Sequence, residues 1–109
     1  MDDIEKLAEV FKALSDPTRL RLIRLLNAQP SGGCLGECND GQHLCVNALA
    51  HKLGVTQSAV SQHLRVLRQV GLVHGVRHGR FVHYSIDREG LARHRSVLVE
   101  TLGQDFATE

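Results

Sequence analysis

Aromatic side chains are scarce in this 109-residue chain: no tryptophan, one tyrosine and three phenylalanines, 4% of the residues, against 42% hydrophobic residues overall. Any core must therefore be aliphatic, and a chain of this length supports one domain. No apolar run approaches the roughly 18 residues that suggest a membrane-spanning helix. The opening Met1-Asp2-Asp3-Ile4-Glu5 is acidic where a secretory signal would be basic, and no apolar stretch follows it. These absences point to a cytoplasmic protein, in a compartment where thiols stay reduced. There are only three cysteines, and an odd number does not make a disulfide framework.

The widest gap is in negative charge. From Gly41 to Ile86, 46 residues, there is no Asp or Glu. The same span holds Lys52, Arg65, Arg68, Arg77 and Arg80, with six of the seven histidines. Its charge is +5 in a chain of net +1, which leaves −4 for the remainder. A segregated basic segment in a near-neutral chain is the footprint of a surface for a polyanion, although a solvated basic face has the same composition.

What is present reads as helices with a small hairpin. Ile4, Leu7, Ala8, Phe11 and Leu14 recur at helical spacing, which predicts a helix over 3–14. Asp16 and Pro17 supply a cap and a first-turn proline for a second helix to about residue 28. Residues 30–42 are loop by composition, rich in glycine and cysteine. A short helix is expected over 44–53, closed by Gly54, and another over 57–70, capped by Thr56 and closed by Gly71. Strands are expected at 72–77 and 81–86, turning at His78-Gly79. A last helix spans 88 to about 103, within a terminal segment 88–106.

A short helix, a glycine-containing turn and a second capped helix make a helix-turn-helix, here 44–70. On the second helix Val60, Leu64 and Leu67 share one side, and Gln57, Ser58, Ser61, Gln62 and Arg65 share another. Gln can bond an adenine edge twice, Arg a guanine edge, and Ser several bases. The hairpin 72–86 behind it carries Arg77 and Arg80 at its tip, suited to backbone or minor-groove contact. A wet helix face would look similar alone; the combination with the acid-free span favours double-stranded DNA.

All three cysteines fall in or next to the loop, as Cys34, Cys38 and Cys45, with His43 two residues before the last. Thiolates select soft or borderline ions. Three thiolates suit trigonal arsenic(III) or antimony(III). Adding His43 would make a Cys3His set suited to zinc or cadmium, with lead a further candidate. Cys45 is expected in the first turn of the helix that supports the base-reading helix, so an ion gripping it and the loop would act on the DNA-binding unit.

The segments "FKALSDPTRLRLIRLL" and "LAHKLGVTQSAVSQHLRVLRQVGLVHGVRHGRFVHYSI" resemble the ArsR/SmtB family of bacterial metal-sensing repressors over roughly residues 4 to 100. The resemblance implies a mainly α winged helix-turn-helix with a small β-hairpin, homodimeric through its first and last helices. It implies an apo dimer on operator DNA, released when an inducer binds. By match to the family pattern, Thr56, Gln57, Ser58, Ser61, Gln62, His63 and Arg65 lie on the recognition helix, and Arg77, His78 and Arg80 on the wing. Arsenic sensors of the family often carry Glu-Leu-Cys-Val-Cys-Asp-Leu where this chain has His43-Leu44-Cys45-Val46-Asn47-Ala48-Leu49. Cys45 is retained, Asn47 replaces the second cysteine, and Cys34 and Cys38 would supply sulfur from upstream. A second family site on the last helix would fall on Asp87, Glu89, Glu100 and Gly103, without its histidines, which disfavours it.

The reading is a DNA-binding repressor released by a thiophilic ion, not an enzyme. The alternatives are a thiol-redox repressor, including a local Cys34–Cys38 disulfide, and a metal buffer that does not bind DNA. A cysteine-nucleophile enzyme would need a base and an oxyanion site in a pocket, for which His43 beside Cys45 is the only hint.

Overall fold

The structure is a computed structural model that describes residues 1–28 and 44–103. The expected loop at 30–42, with Cys34, Cys38 and the adjacent His43, lies outside the described residues. Helix α1 (Asp3–Leu14) begins at a reciprocal cap. The Asp2 carboxylate accepts the Glu5 amide at 2.8 Å, and the Glu5 carboxylate accepts the Asp2 amide at 3.1 Å. Helix α2 (Pro17–Asn27) starts where Asp16 accepts the Arg19 amide at 3.1 Å and Pro17 needs no amide partner. Helix α3 (Val46–Leu53) ends at the left-handed Gly54. Helix α4 (Gln57–Gln69) is capped by the Thr56 hydroxyl, which accepts the Ala59 amide at 3.0 Å.

Two strands bracket the wing. The first of them, Val73–His78, runs antiparallel to Phe81–Ile86, in register from Val73 opposite Ile86 to His78 opposite Phe81. A two-residue strand, β1 (Leu44–Cys45), precedes them in the chain, so the wing strands are β2 and β3. β1 pairs antiparallel with the other edge of β3, giving a sheet in the order β1-β3-β2. Helix α5 (Arg88–Leu102) is capped by the Asp87 carboxylate on the Gly90 amide at 2.9 Å.

The expected winged helix-turn-helix is thus present, with one correction. The helix expected from residue 44 begins at Val46, and Cys45 is its N-cap, not a first-turn residue. Pairing with β3 holds Cys45 extended (φ −85°, ψ 165°), and a two-residue strand has no periodicity by which a sequence could announce it.

The core is aliphatic, as the composition requires. Val60, Leu64 and Leu67 of α4 are at most 1% exposed and meet Leu22 of α2, Leu49 of α3, and Leu72 and Val73 at the start of the wing. Burying each such leucine contributes about 1.5–3 kcal/mol. The peripheral helices bury less. α5 buries only Gly90, while Ile4 and Phe11 on α1 and Leu91 and Leu102 on α5 remain exposed. No helix of the described residues is long and apolar enough to cross a membrane.

α5 is pinned to the α4–β2 turn. The Asp87 amide donates to the Leu72 carbonyl at 2.9 Å, and the His94 Nε2 lies 2.8 Å from the Val70 carbonyl oxygen. Gly71 turns the chain there with φ +79°. Gly90 packs so closely that a Cβ on it would overlap the Gly71 carbonyl oxygen. The obstacle is backbone and cannot swing aside. Gly90→Ala is expected to destabilise the fold by about 1–3 kcal/mol, read as a lowered urea midpoint with unchanged slope.

Candidate nucleic-acid interface and cysteine site

The sharp turn between α3 and α4 follows from local chemistry. Gly54 takes the left-handed conformation (φ 69°), Val55 follows, and Thr56 starts α4. With Val60, Leu64 and Leu67 fixed inward, the 3.6-residue period leaves Gln57, Ser58, Ser61, Gln62 and Arg65 exposed together. The stripe lies towards the helix N-terminus, where amide dipoles also favour a phosphate. Thr56 is exposed too, with its hydroxyl occupied as the cap. At the hairpin tip Gly79 has φ 63°, flanked by His78, which closes β2, and Arg80; Arg77 and Arg80 are exposed.

Lys52, Arg65, Arg68, Arg77 and Arg80 are all exposed. Among the described residues the one ion contact is His63 Nε2 to Asp16 Oδ2 at 4.0 Å, so these cations are not neutralised there. Such a face can displace condensed counterions from a phosphate backbone.

Two members of the helix pair are less free than the sequence implies. Gln57 Nε2 donates to Asn47 Oδ1 at 2.7 Å, a bridge from α4 back to α3. Asn47 is the residue standing where arsenic sensors of the resembling family carry their second cysteine, and here it braces the reading helix. His63 was expected with the base-reading group. It is half-buried, its Nδ1 accepts from Arg19 Nε at 3.2 Å, and its Nε2 faces Asp16. Both ring nitrogens meet residues at the start of α2, so His63 also helps to support α4.

Arg19 is the residue that sequence reasoning passed over. Besides its bond to His63, its Nη1 donates to the Ala13 carbonyl at 3.0 Å, which ties the end of α1 and the start of α2 to α4. Its partner lies 44 positions away, beyond any local pattern. The Arg19 amide, first among several causes, holds the Asp16 carboxyl below its ordinary value, with the charge of His63 adding in the same direction. The contribution of that cap is therefore present above the ordinary carboxylate range and fades on acidification through the lowered value.

The cysteines divide between described and undescribed residues. Cys45 is 2% exposed and belongs to the core cluster, beside Leu49 and Leu22. It is disulfide-bonded, and Cys34, Cys38 and His43 fall outside the described residues. Across the ladder from Cys45 stands His83, 4% exposed. Among the described residues no group of three or more His, Cys, Asp or Glu could hold a metal. Asp87, one member of the second family constellation, caps α5, and Glu89, Glu100 and Gly103 are exposed. His51 and His74 are exposed, as expected of surface groups, while His94 packs against the end of α4.

Comparison with known proteins assigns this arrangement. Residues 16–74 match the model of bacterial regulatory proteins of the arsR family. The chain belongs to that family. It is 42% identical over 86 residues to a transcriptional repressor SmtB homolog of Synechocystis, covering 79% of this chain and 55% of that protein, so it spans little more than half of that relative's length. A solved structure of a possible transcriptional regulator for arsenical resistance superposes with a TM-score of 0.64 at 36% identity, over 83% of this chain and 80% of that one. The homodimeric winged helix-turn-helix DNA-binding domain of a possible ArsR-family regulator from Mycobacterium bovis superposes at 0.66 with 28% identity, over 90% and 80%. The ArsR family consists of regulators, not enzymes, and this member carries the family's winged helix-turn-helix complete.

In this ArsR-family chain the Arg19 anchor sets how α4 sits on α2. Arg19→Ala is expected to lower stability by about 1–2 kcal/mol, since it removes two part-buried hydrogen bonds. Arg19→Lys should recover little of it, because an ammonium lacks the fork that reaches both acceptors. Chemical denaturation of the three proteins checks this.

Proposed function

We propose that this chain is a homodimeric repressor that holds operator DNA in its metal-free state and releases it when a thiophilic ion binds a site built on Cys45, Cys34 and Cys38. The ion is arsenite or antimonite, or else cadmium, lead or zinc with a nitrogen ligand such as His43 added. The observation that carries this reading is the position of Cys45. It is at once the N-cap of α3, a strand residue paired to the wing and a member of the core. A ligand that pulls on this sulfur acts on the joint between helix pair and wing. Release requires a coupling of only about 1–3 kcal/mol.

Thr56, Gln57, Ser58, Ser61, Gln62 and Arg65 would face the major groove, with Arg77, His78 and Arg80 following the backbone. The exposed Ile4, Phe11, Leu91 and Leu102 on α1 and α5 support pairing of two copies through these helices, as in the homodimeric relative. A twofold dimer would set its two α4 helices about 34–36 Å apart on a near-palindromic operator. The site of action is the cytoplasm.

In a second reading the signal is an oxidant that acts on the cysteines. Two thiols and one hydrogen peroxide would give one disulfide and two waters, with the thiol electrons reducing the peroxide oxygens. A buffer protein without operator affinity is the outcome if a mobility-shift assay with the DNA upstream of its gene shows no complex.

Two measurements test the proposal. Gln62→Ala and Arg65→Ala should each weaken operator binding by about 1–3 kcal/mol and spare binding to random DNA. Arg80→Ala should weaken both alike and reduce the salt slope by about one; equal losses on both DNAs for Gln62 and Arg65 would remove them from base reading. Cys45→Ser should bind the operator normally yet resist release by arsenite and cadmium under reducing conditions. Release of the reduced wild type by peroxide alone, with no response to either ion, would transfer the assignment to the redox reading.

A further inference from the structure

We propose that the cleft walled by α1, the end of α4 and α5 binds a phosphorylated small molecule. The cleft has a volume of about 730 Å³, within the roughly 300–1,000 Å³ usual for small-molecule sites. Five Lys and Arg residues line it: Lys6 and Lys12 from α1, Arg19 from α2, Arg68 from α4 and Arg93 from α5. Glu9 is the one acid of the lining, and five cations against one carboxylate leave a surplus of four positive charges. The inference stands apart from the operator and cysteine readings.

The protein does not neutralise these charges itself. Among the described residues the side chains of Lys6, Lys12, Arg68 and Arg93 take part in no ion pair or hydrogen bond, although Glu9 shares the cleft. Like charges gathered round a concave wall of low dielectric focus their field into it and concentrate a counter-anion there. The Val70 carbonyl oxygen at the end of α4, which would repel an anion, is occupied by His94 at 2.8 Å. The lining also has an apolar part: Ala13 is 1% exposed, and Val66 and Val70 are half-buried. A charged group among the cations, carrying a flat apolar body over these three residues, satisfies both halves. A phosphate monoester, close to a dianion at pH 7, has that form.

The position of the cleft separates it from the other surfaces of the molecule. Lys6 and Ala13 follow the exposed Ile4 and Phe11 by two positions, and Arg93 follows the exposed Leu91 by two. Two positions turn a helix by about 200°. The cleft therefore lies across α1 and α5 from the apolar residues that support pairing of two copies. Val66 stands nine positions beyond Gln57, about 14 Å along α4, so the cleft is at the other end of that helix from the start of the base-reading stripe.

The test titrates the full chain, with carbon-13 methyl groups on alanine and valine, with 1-naphthyl phosphate. The expected result is a saturable ring-current shift at the methyls of Ala13, Val66 and Val70. Binding of 1-naphthol, which lacks the charge, and of inorganic phosphate, which lacks the apolar body, should both be weaker. Lys6→Ala and Arg93→Ala, at exposed positions, should each weaken binding of the ester about threefold to tenfold. Arg65→Ala combined with Arg80→Ala, which removes cations from the DNA-facing side, should bind it as the wild type does. Unmoved methyls at the three positions, wild-type affinity in both Lys6→Ala and Arg93→Ala, or equally tight binding of 1-naphthol or inorganic phosphate would overturn the proposal. Displacement of the ester by duplex DNA of random sequence would make the cleft a backbone contact and overturn it as well. The wild-type methyl shifts decide the matter even where a variant folds poorly.

Discussion

The burial of one side of α4 governs everything else in the molecule. Val60, Leu64 and Leu67 can leave water only by packing against Leu22 and Leu49, and once they do, the helix has no rotational freedom left. The polar stripe on the opposite side is then aimed outward as a unit. Arg19 and Asn47 add direction to this packing. Each pins α4 through a hydrogen bond, Arg19 at His63 and Asn47 at Gln57, the first residue of the exposed stripe. Hydrophobic contact is non-directional, so a reader helix needs such polar pins to hold its angle.

The same core also carries the joint at Cys45. Strand β1 is only two residues long, but it fastens the entry of α3 to β3, and β3 is hydrogen-bonded to β2 along its whole length. Helix pair and wing are thus joined by a ladder of two pairs, one of them Cys45 opposite His83. A close-packed interior transmits strain because it has few voids to absorb it. A change at Cys45, a member of the core, is therefore passed to the elements packed around it.

Much of this was legible in the sequence, for identifiable reasons. The helix starts at Asp2, Asp16, Thr56 and Asp87 are set by side chains bonding amides three residues on, which is local chemistry. The inward face of α4 follows from spacing alone. What could not be read was long-range. β1 has no pattern of its own, and it exists because β3 has an edge to offer. The Arg19–His63 bond joins positions 44 apart, and the Cys45–His83 pairing depends on the register of a strand that the sequence does not announce.

Charge completes the division of labour between the two ends of the chain. The acids of α1, Asp3, Glu5 and Glu9, and of α5, Glu89 and Glu100, are segregated from the acid-free span that holds α3, α4 and the wing. Asp16 is the acid nearest the reading helix, and it is turned to the cap of α2 with His63 over it. That placement keeps a carboxylate's repulsion away from DNA phosphates while using its charge to start a helix. With ionic screening lengths near 8–10 Å in physiological salt, a few cations at the surface of α4 and the wing dominate the field that a phosphate meets, even though the whole chain is close to neutral. Net charge therefore says little about this protein's affinity for a polyanion. The distribution along the fold, fixed by which residues the core and the caps claim first, says most of it.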